Sequence, residues 1–272
     1  MAALSRHAAG VLTGWSCLTM FKSLIRSTLS TLGWQANRLN RGQVIPVELP
    51  EPETYAGPED FSRLHRPWQG AGFLKCLTPA VRANTMLSPQ KLYLLRKLFV
   101  STLGLPGDVF EAGAGSGGSA RLMLDSLLAR GVKKRMWVLD TFAGYPEADA
   151  ARDGQHVRPQ QCQCNSEAEV TALLANPAVE VRVVAGRIPA TLAQVSATSL
   201  CFAHIDVNLH QPTRAATEFC WDRLVPGGIM VFDDYGWPAT FGARTAIDEV
   251  CAARGAEVIC LPETTQAFLI KR

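Results

Sequence analysis

The sequence predicts an α/β protein built on a doubly wound, mostly parallel sheet of about seven strands, with a helical segment ahead of it. Three observations carry this. From residue 108 onward, apolar runs of strand length alternate with amphipathic runs of helix length. A glycine-rich turn joins the first of these strands to the first helix. The last two strand-like runs are separated only by a short turn, which predicts an antiparallel element at the C-terminal edge.

In the first 45 residues, Phe21, Leu24, Ile25, Leu29 and Leu32 recur at helical spacing, and Gly33 is a plausible stop. Residues 46–68 are rich in proline and polar side chains and read as a loop. A helix follows over 88–103, with Ser88 as N-cap and Pro89 at the first helical position. Residues 1–100 are therefore read as an N-terminal helical cap, and 101–272 as the sheet domain. Within the latter, strands are expected at 108–113, 135–142, 179–186, 199–206, 228–234, 256–261 and 266–272. Helices are expected at 119–131, 167–176, 212–224 and 242–255, with a polar loop over 143–166.

Composition narrows the function classes. The chain of 272 residues is 47% hydrophobic and 19% charged, as expected of a globular protein with a real core. A net charge of +3 is too small to argue for nucleic acid. No acidic residue precedes Glu48, whereas Arg6, Lys22, Arg26, Arg38 and Arg41 make that end basic. The apolar run from Ala8 to Phe21 is too short for a bilayer and no A-x-A cleavage signal follows it, so no membrane partner is expected. Most of the eight cysteines sit inside apolar runs, which suggests reduced thiols and a cytoplasmic setting. Cys162 and Cys164, with His156 upstream, fit no standard zinc module.

The turn "FEAGAGSGGSA" satisfies G-x-G-x-x-G with Gly113, Gly115 and Gly118. Such glycines let the backbone turn tightly and bring N–H groups against a ligand at a helix N-terminus. Asp140 closes the next strand, where a carboxylate can hold ribose hydroxyls. Both NAD and S-adenosylmethionine ask for these features, so the loop alone does not choose between them. Glu111 ahead of Gly113 gives E-x-G-x-G, which resembles the first motif of class I S-adenosylmethionine-dependent methyltransferases. "RLVPGGIMVFDD" looks like the turn into their fifth strand. No hydride-transfer constellation accompanies the loop, which leaves an NAD-dependent oxidoreductase as the weaker alternative.

Several stretches together resemble the macrocin O-methyltransferase family: "ANTMLSPQKLYLL", "GLPGDVFEAGAGSGGSA", "WVLDTFAGYPEAD", and "HIDVNLHQPTRAA" with "LVPGGIMVFDDYG". The resemblance implies a Rossmann-like class I methyltransferase fold with S-adenosylmethionine and Mg2+ as cofactors. It further implies a hydroxylated small-molecule acceptor, such as a sugar of a natural product, and assembly into homo-oligomers. Carried over by position, Asp206, Asp233 and Asp234 are the magnesium ligands. Thr85, Met86, Glu111, Gly113, Ser116, Gly117, Gly118, Ser119, Asp140 and Thr141 line the cofactor site, and Asn84 stands where the family has His.

One position departs from the pattern. The family reads Asp-x-Asp where this chain has Asp206-x-Asn208, and the second aspartate is taken there as the general base. An amide orients a hydroxyl but cannot accept its proton. On an extended strand end Asp206, Asn208 and His210 share one face, which makes His210 the nearest replacement base; His156 in the loop is a second. The alternatives are an acceptor that needs little help, and a noncatalytic or weakened relative that serves as an interaction module.

Overall fold

The computed structural model describes residues 66–145, 153, 162, 164–261 and 263–272. All of these fall within one compact unit, residues 41–272. The helix expected around residues 21–33, most of the 46–68 loop, and His156 lie outside the described residues.

Seven strands form one sheet: β1 (Asp108–Ala112), β2 (Met136–Asp140), β3 (Val181–Ala185), β4 (Leu200–Ile205), β5 (Leu224–Phe232), β6 (Ile259–Leu261) and β7 (Gln266–Ile270). Their order is β3-β2-β1-β4-β5-β7-β6. The first five strands are mutually parallel, as βαβ crossovers require, while β7 runs antiparallel to both β5 and β6. The C-terminal pair is therefore an insertion: β7 takes the place beside β5, and β6 is left at the edge.

The described helices are α1 (Ala71–Leu74), α2 (Pro79–Ala83), α3 (Pro89–Ser101), α4 (Gly118–Leu128), α5 (Glu167–Leu174), α6 (His210–Arg223) and α7 (Phe241–Arg254). Among these described helices, none is long and apolar enough to cross a membrane. Local chemistry sets several of their ends. Ser88 caps α3 by accepting from the Lys91 amide, with Pro89 at the first position. Ser166 and Glu169 form a reciprocal capping box on α5. Gly255, at φ 63°, terminates α7 in the left-handed conformation that glycine adopts without strain.

Alternation along the strands divides the core between the two faces of the sheet. Phe110, Ala112, Ala203, Ile205, Met230 and Phe232 pack with Ala216, Cys220, Ile247 and Cys251 of α6 and α7. Val109, Val138, Phe202, Ile229 and Val231 pack on the other face with Leu95, Phe99, Ala120, Met123 and Leu127 of α3 and α4. Phe99 and Phe202 meet edge to face, with ring centroids 5.1 Å apart. Each buried phenyl contributes about 1.5–3 kcal/mol by leaving water. A smaller cluster of Phe73, Leu77, Val81, Leu92 and Leu122 holds α1 and α2 against α3 and α4. The first turn of α3 is thereby brought to the C-terminal ends of β4 and β5, where Lys91 reaches Asp233.

Candidate active site

At the C-terminal ends of the parallel strands a cavity of about 280 Å3 opens. One end is lined by the glycine turn after β1, by Asp140 and Thr141 after β2, and by Asn84, Thr85 and Met86 before α3. The other end is lined by Lys91, Asp206, Asn208, Asp233 and Asp234. This is where an open parallel sheet places ligands, beside the point where strand order reverses between β1 and β4.

Two glycines shape the end formed by the glycine turn. Gly113 has φ +89°, and a Cβ there would meet the Asp206 backbone carbon at 2.6 Å, so only glycine lets β1 and β4 close together here. At Gly118 a Cβ would come within 2.6 Å of the Thr85 Cβ, and the Gly118 amide donates to the Asn84 carbonyl at 2.8 Å. The 84–85 segment is thus docked on the N-terminus of α4. Asp140 braces the loop from the other side, accepting from the amides of Gly115 and Phe142, each at 2.8 Å. Burial raises the pKa of Asp140 above its ordinary value, against the opposing effect of those amides. Tyr145 accepts from the Cys162 thiol at 3.3 Å, and burial pushes its phenol upward as well.

The acidic end is more unusual. Asp233 is 3% exposed; its Oδ1 accepts from Gln266 Nε2 at 2.7 Å and its Oδ2 from the Lys91 ammonium at 2.6 Å. Burial works to lower the Lys91 pKa, but Asp233, Asp206 and Asp234 together outweigh it and hold the ammonium above its ordinary value. Asp206 and Asp234 share a side-chain hydrogen bond. Burial first, and the neighbouring carboxylates next, push Asp206 well above the carboxylate range and Asp234 up to about 6. The Asn208 backbone N–H donates to Asp234, whose Oδ2 is buried without a hydrogen-bond partner among the described residues. Below them, His204 and Glu111 form a fully buried pair, Nδ1 to Oε1 at 2.8 Å.

Comparison with known proteins identifies the lineage. A family model described as macrocin-O-methyltransferase (TylF) matches residues 69–258. The chain belongs to the macrocin-O-methyltransferase family.

Two relatives are similar to it. An 8-demethyl-8-(2,3-dimethoxy-alpha-L-rhamnosyl)-tetracenomycin-C 4'-O-methyltransferase from Streptomyces olivaceus is 32% identical over 56% of this chain and 63% of its own length. A mycinamicin III 3''-O-methyltransferase from Micromonospora griseorubida is 28% identical over 61% of this chain and 70% of its own. The chain thus spans less than two thirds of the first relative. Among solved structures, the O-methyltransferase NovP superposes with a TM-score of 0.61 at 26% identity, covering 72% of this chain and 87% of its own. The calicheamicin methyltransferase CalS11 superposes with a TM-score of 0.54 at 18% identity, covering 80% of this chain and 98% of its own; it supports the fold alone. The class I methyltransferase fold expected from sequence is the fold observed.

Against the residues that the macrocin-O-methyltransferase resemblance implies, the structure brings most into one cavity. Thr85, Met86, Gly113, Ser116, Gly118, Ser119, Asp140, Thr141, Asp206, Asn208, Asp233 and Asp234 all line it. Three do not. Glu111 is buried beneath it, paired with His204. Gly117, at φ +88°, faces Val170 and Leu173 of α5, so its lack of a side chain serves that packing. His210 opens α6: its amide donates to Asp153 Oδ1 at 2.8 Å and its ring lies 3.4 Å from Glu249 on α7. The shared face expected of Asp206, Asn208 and His210 is not formed, because the strand ends at Ile205 and Asn208 turns left-handed at φ +61°. Sequence reasoning missed Lys91 and His204. His204 lies inside the apolar run of β4, where a histidine reads as core, and nothing local marked Lys91.

Proposed function

We propose that this protein is an S-adenosylmethionine-dependent, Mg2+-assisted O-methyltransferase whose acceptor is a hydroxyl, on a sugar, of a small-molecule natural product. One observation supports the reading: a single cavity joins the glycine loop and Asp140 to the three aspartates, so a cofactor at one end and an acceptor at the other would meet in one space. The names of the two relatives, both O-methyltransferases of natural products, support the acceptor class.

At the cofactor end, Asp140 would accept from the ribose hydroxyls, while the Gly113–Ser119 turn brings backbone against the cofactor. Thr85 and Met86 would close over the methionine end. The carboxylates of Asp206, Asp233 and Asp234 suit a hard dication, and the unpartnered Oδ2 of Asp234 is a free oxygen for one. Bound there, Mg2+ would acidify the acceptor hydroxyl and fix its orientation. Asn208 faces the same space and would hold that hydroxyl by a hydrogen bond without taking its proton.

The test is calorimetric titration of the protein with S-adenosylmethionine and separately with Mg2+, on wild type and on Asp206→Asn. Both ligands are expected to bind wild type, and the variant to keep the cofactor while losing the cation. Failure of S-adenosylmethionine to bind overturns the methyltransferase reading. Cofactor binding with no response to Mg2+ overturns only the metal.

A further inference from the structure

The buried pair beneath the aspartates has a geometry that packing does not require. His204 alternates along β4 with Ala203 and Ile205, so its side chain falls on the α3–α4 side of the sheet, and Asp206 follows directly after the strand's last residue, Ile205. The His204 ring is fully buried, and its Nδ1 is taken up by Glu111 Oε1 on the neighbouring strand β1. In the neutral tautomer that suits this contact, Nδ1 carries the proton and the Glu111 carboxylate accepts from it. Nε2 is then a lone-pair nitrogen, buried and without a hydrogen-bond partner among the described residues. A ring nitrogen of His204 and one carboxylate oxygen each from Asp206 and Asp233 lie within 4.8 Å of one another.

We propose that His204 is a direct ligand, through Nε2, of a divalent cation held with Asp206 and Asp233, and that it turns the preference of the site from Mg2+ toward Mn2+ and Co2+. This rests on reading the aspartate cluster as a cation site. Metal-bound histidines donate their second N–H to a carboxylate, which orients the ring and raises its basicity; Glu111 stands in that relation to His204. Mg2+ demands oxygen ligands, while imidazole suits borderline transition metals, so one nitrogen in the donor set changes which ion is favoured. The Lys91 ammonium sits on Asp233 Oδ2 and would withdraw as the ion enters, along a side chain that is 19% exposed.

The experiment uses the full chain loaded with Mn2+ and pulsed electron paramagnetic resonance, which detects the 14N coupling of a directly bound imidazole. Calorimetric titrations with Mn2+, Co2+ and Mg2+ accompany it on wild type, His204→Gln and Asp206→Asn. The 14N coupling is expected in wild type, with Mn2+ and Co2+ bound more tightly than Mg2+. His204→Gln, whose amide keeps a donor for Glu111, should lose about 10–100-fold in Co2+ affinity and less for Mg2+. If that variant does not fold, the wild-type resonance measurement still decides. Cation binding that Asp206→Asn abolishes, without 14N coupling, overturns the role of His204 and leaves the cation site standing. No binding of any of the three ions overturns both.

Discussion

The Lys91 ammonium lies 2.6 Å from Asp233 Oδ2, at the centre of a cluster that also holds Asp206 and Asp234. Buried carboxylates are costly unless paired, and this lysine is the cation that the described residues place among them. Its position follows from α3, whose proline start and buried Leu92, Leu95 and Phe99 fix the first turn over the ends of β4 and β5. Lys91→Met leaves the three aspartates without that counter-charge. A loss of about 3 kcal/mol is expected, the scale of breaking a buried pair. Added Mg2+ should restore much of it by linkage. Thermal melts with and without Mg2+ check this; an unchanged melting temperature would show that protonation of the aspartates already suffices.

Gly118→Ala tests the docking of the 84–85 segment. The added methyl would lie 2.6 Å from the Thr85 Cβ and against backbone that cannot rotate away. Overpacking of this kind costs about 1–3 kcal/mol. Because the displaced segment walls the proposed cofactor end, S-adenosylmethionine affinity should fall at least about tenfold, roughly 1.4 kcal/mol. Calorimetry on a variant shown to be folded reads it. Retained affinity would mean that Thr85 and Met86 do not touch the cofactor.

Asp140 predicts a pH dependence. In the proposed cofactor site its ionised form would accept from both ribose hydroxyls, whereas its protonated form keeps less acceptor capacity. Burial raises its pKa above 3.8, so the ionised form is lost at a higher pH than for an ordinary aspartate. Affinity for S-adenosylmethionine should therefore be full at neutral pH and weaken as pH falls through the raised value. Asp140→Asn should bind more weakly at neutral pH and show a flatter profile over the same range. Parallel titrations of the two proteins at neutral and mildly acidic pH measure the difference, and identical slopes would remove Asp140 from the ribose.

What was legible in the sequence was whatever is written locally. Alternating β and α runs gave the strands, and the glycine turn and the aspartates at strand ends gave most of the cavity. Lys91 was not legible because it reaches Asp233 across 142 positions of chain, and only the tertiary packing of α3 brings it there. His204 was hidden in an apolar strand, where a histidine reads as core. The misplacement of His210 has a single cause. Alternation was extended past Ile205, but Asn208 leaves the extended region at φ +61° and α6 begins two residues later.

His210→Ala follows from that correction. The ring sits 3.4 Å from Glu249 on partly exposed helix surface, and exposed pairs contribute about 0–1 kcal/mol. The variant should fold normally and transfer methyl groups at the wild-type rate within about twofold. A large loss of kcat with unchanged stability, of the ~10²–10⁴ scale of a missing base, would return His210 to the chemistry.

Asn208→Asp is the more informative substitution. Asparagine and aspartate both tolerate the left-handed conformation seen at φ +61°, so the backbone need not move. The change places a proton acceptor at the cavity wall, beside the aspartates, where the native amide can only orient. If proton removal from the acceptor limits turnover, kcat should rise by up to about 10²–10⁴, the usual contribution of a general base, with cofactor affinity unchanged. The new carboxylate also adds like charge near Asp206 and Asp234, so the variant should depend more steeply on added divalent cation. Rates against a panel of glycosylated acceptors, at several Mg2+ concentrations, separate the two effects. A rate that does not rise with any acceptor would mean that the hydroxyl is already acidic enough when bound, and that the asparagine costs this protein nothing.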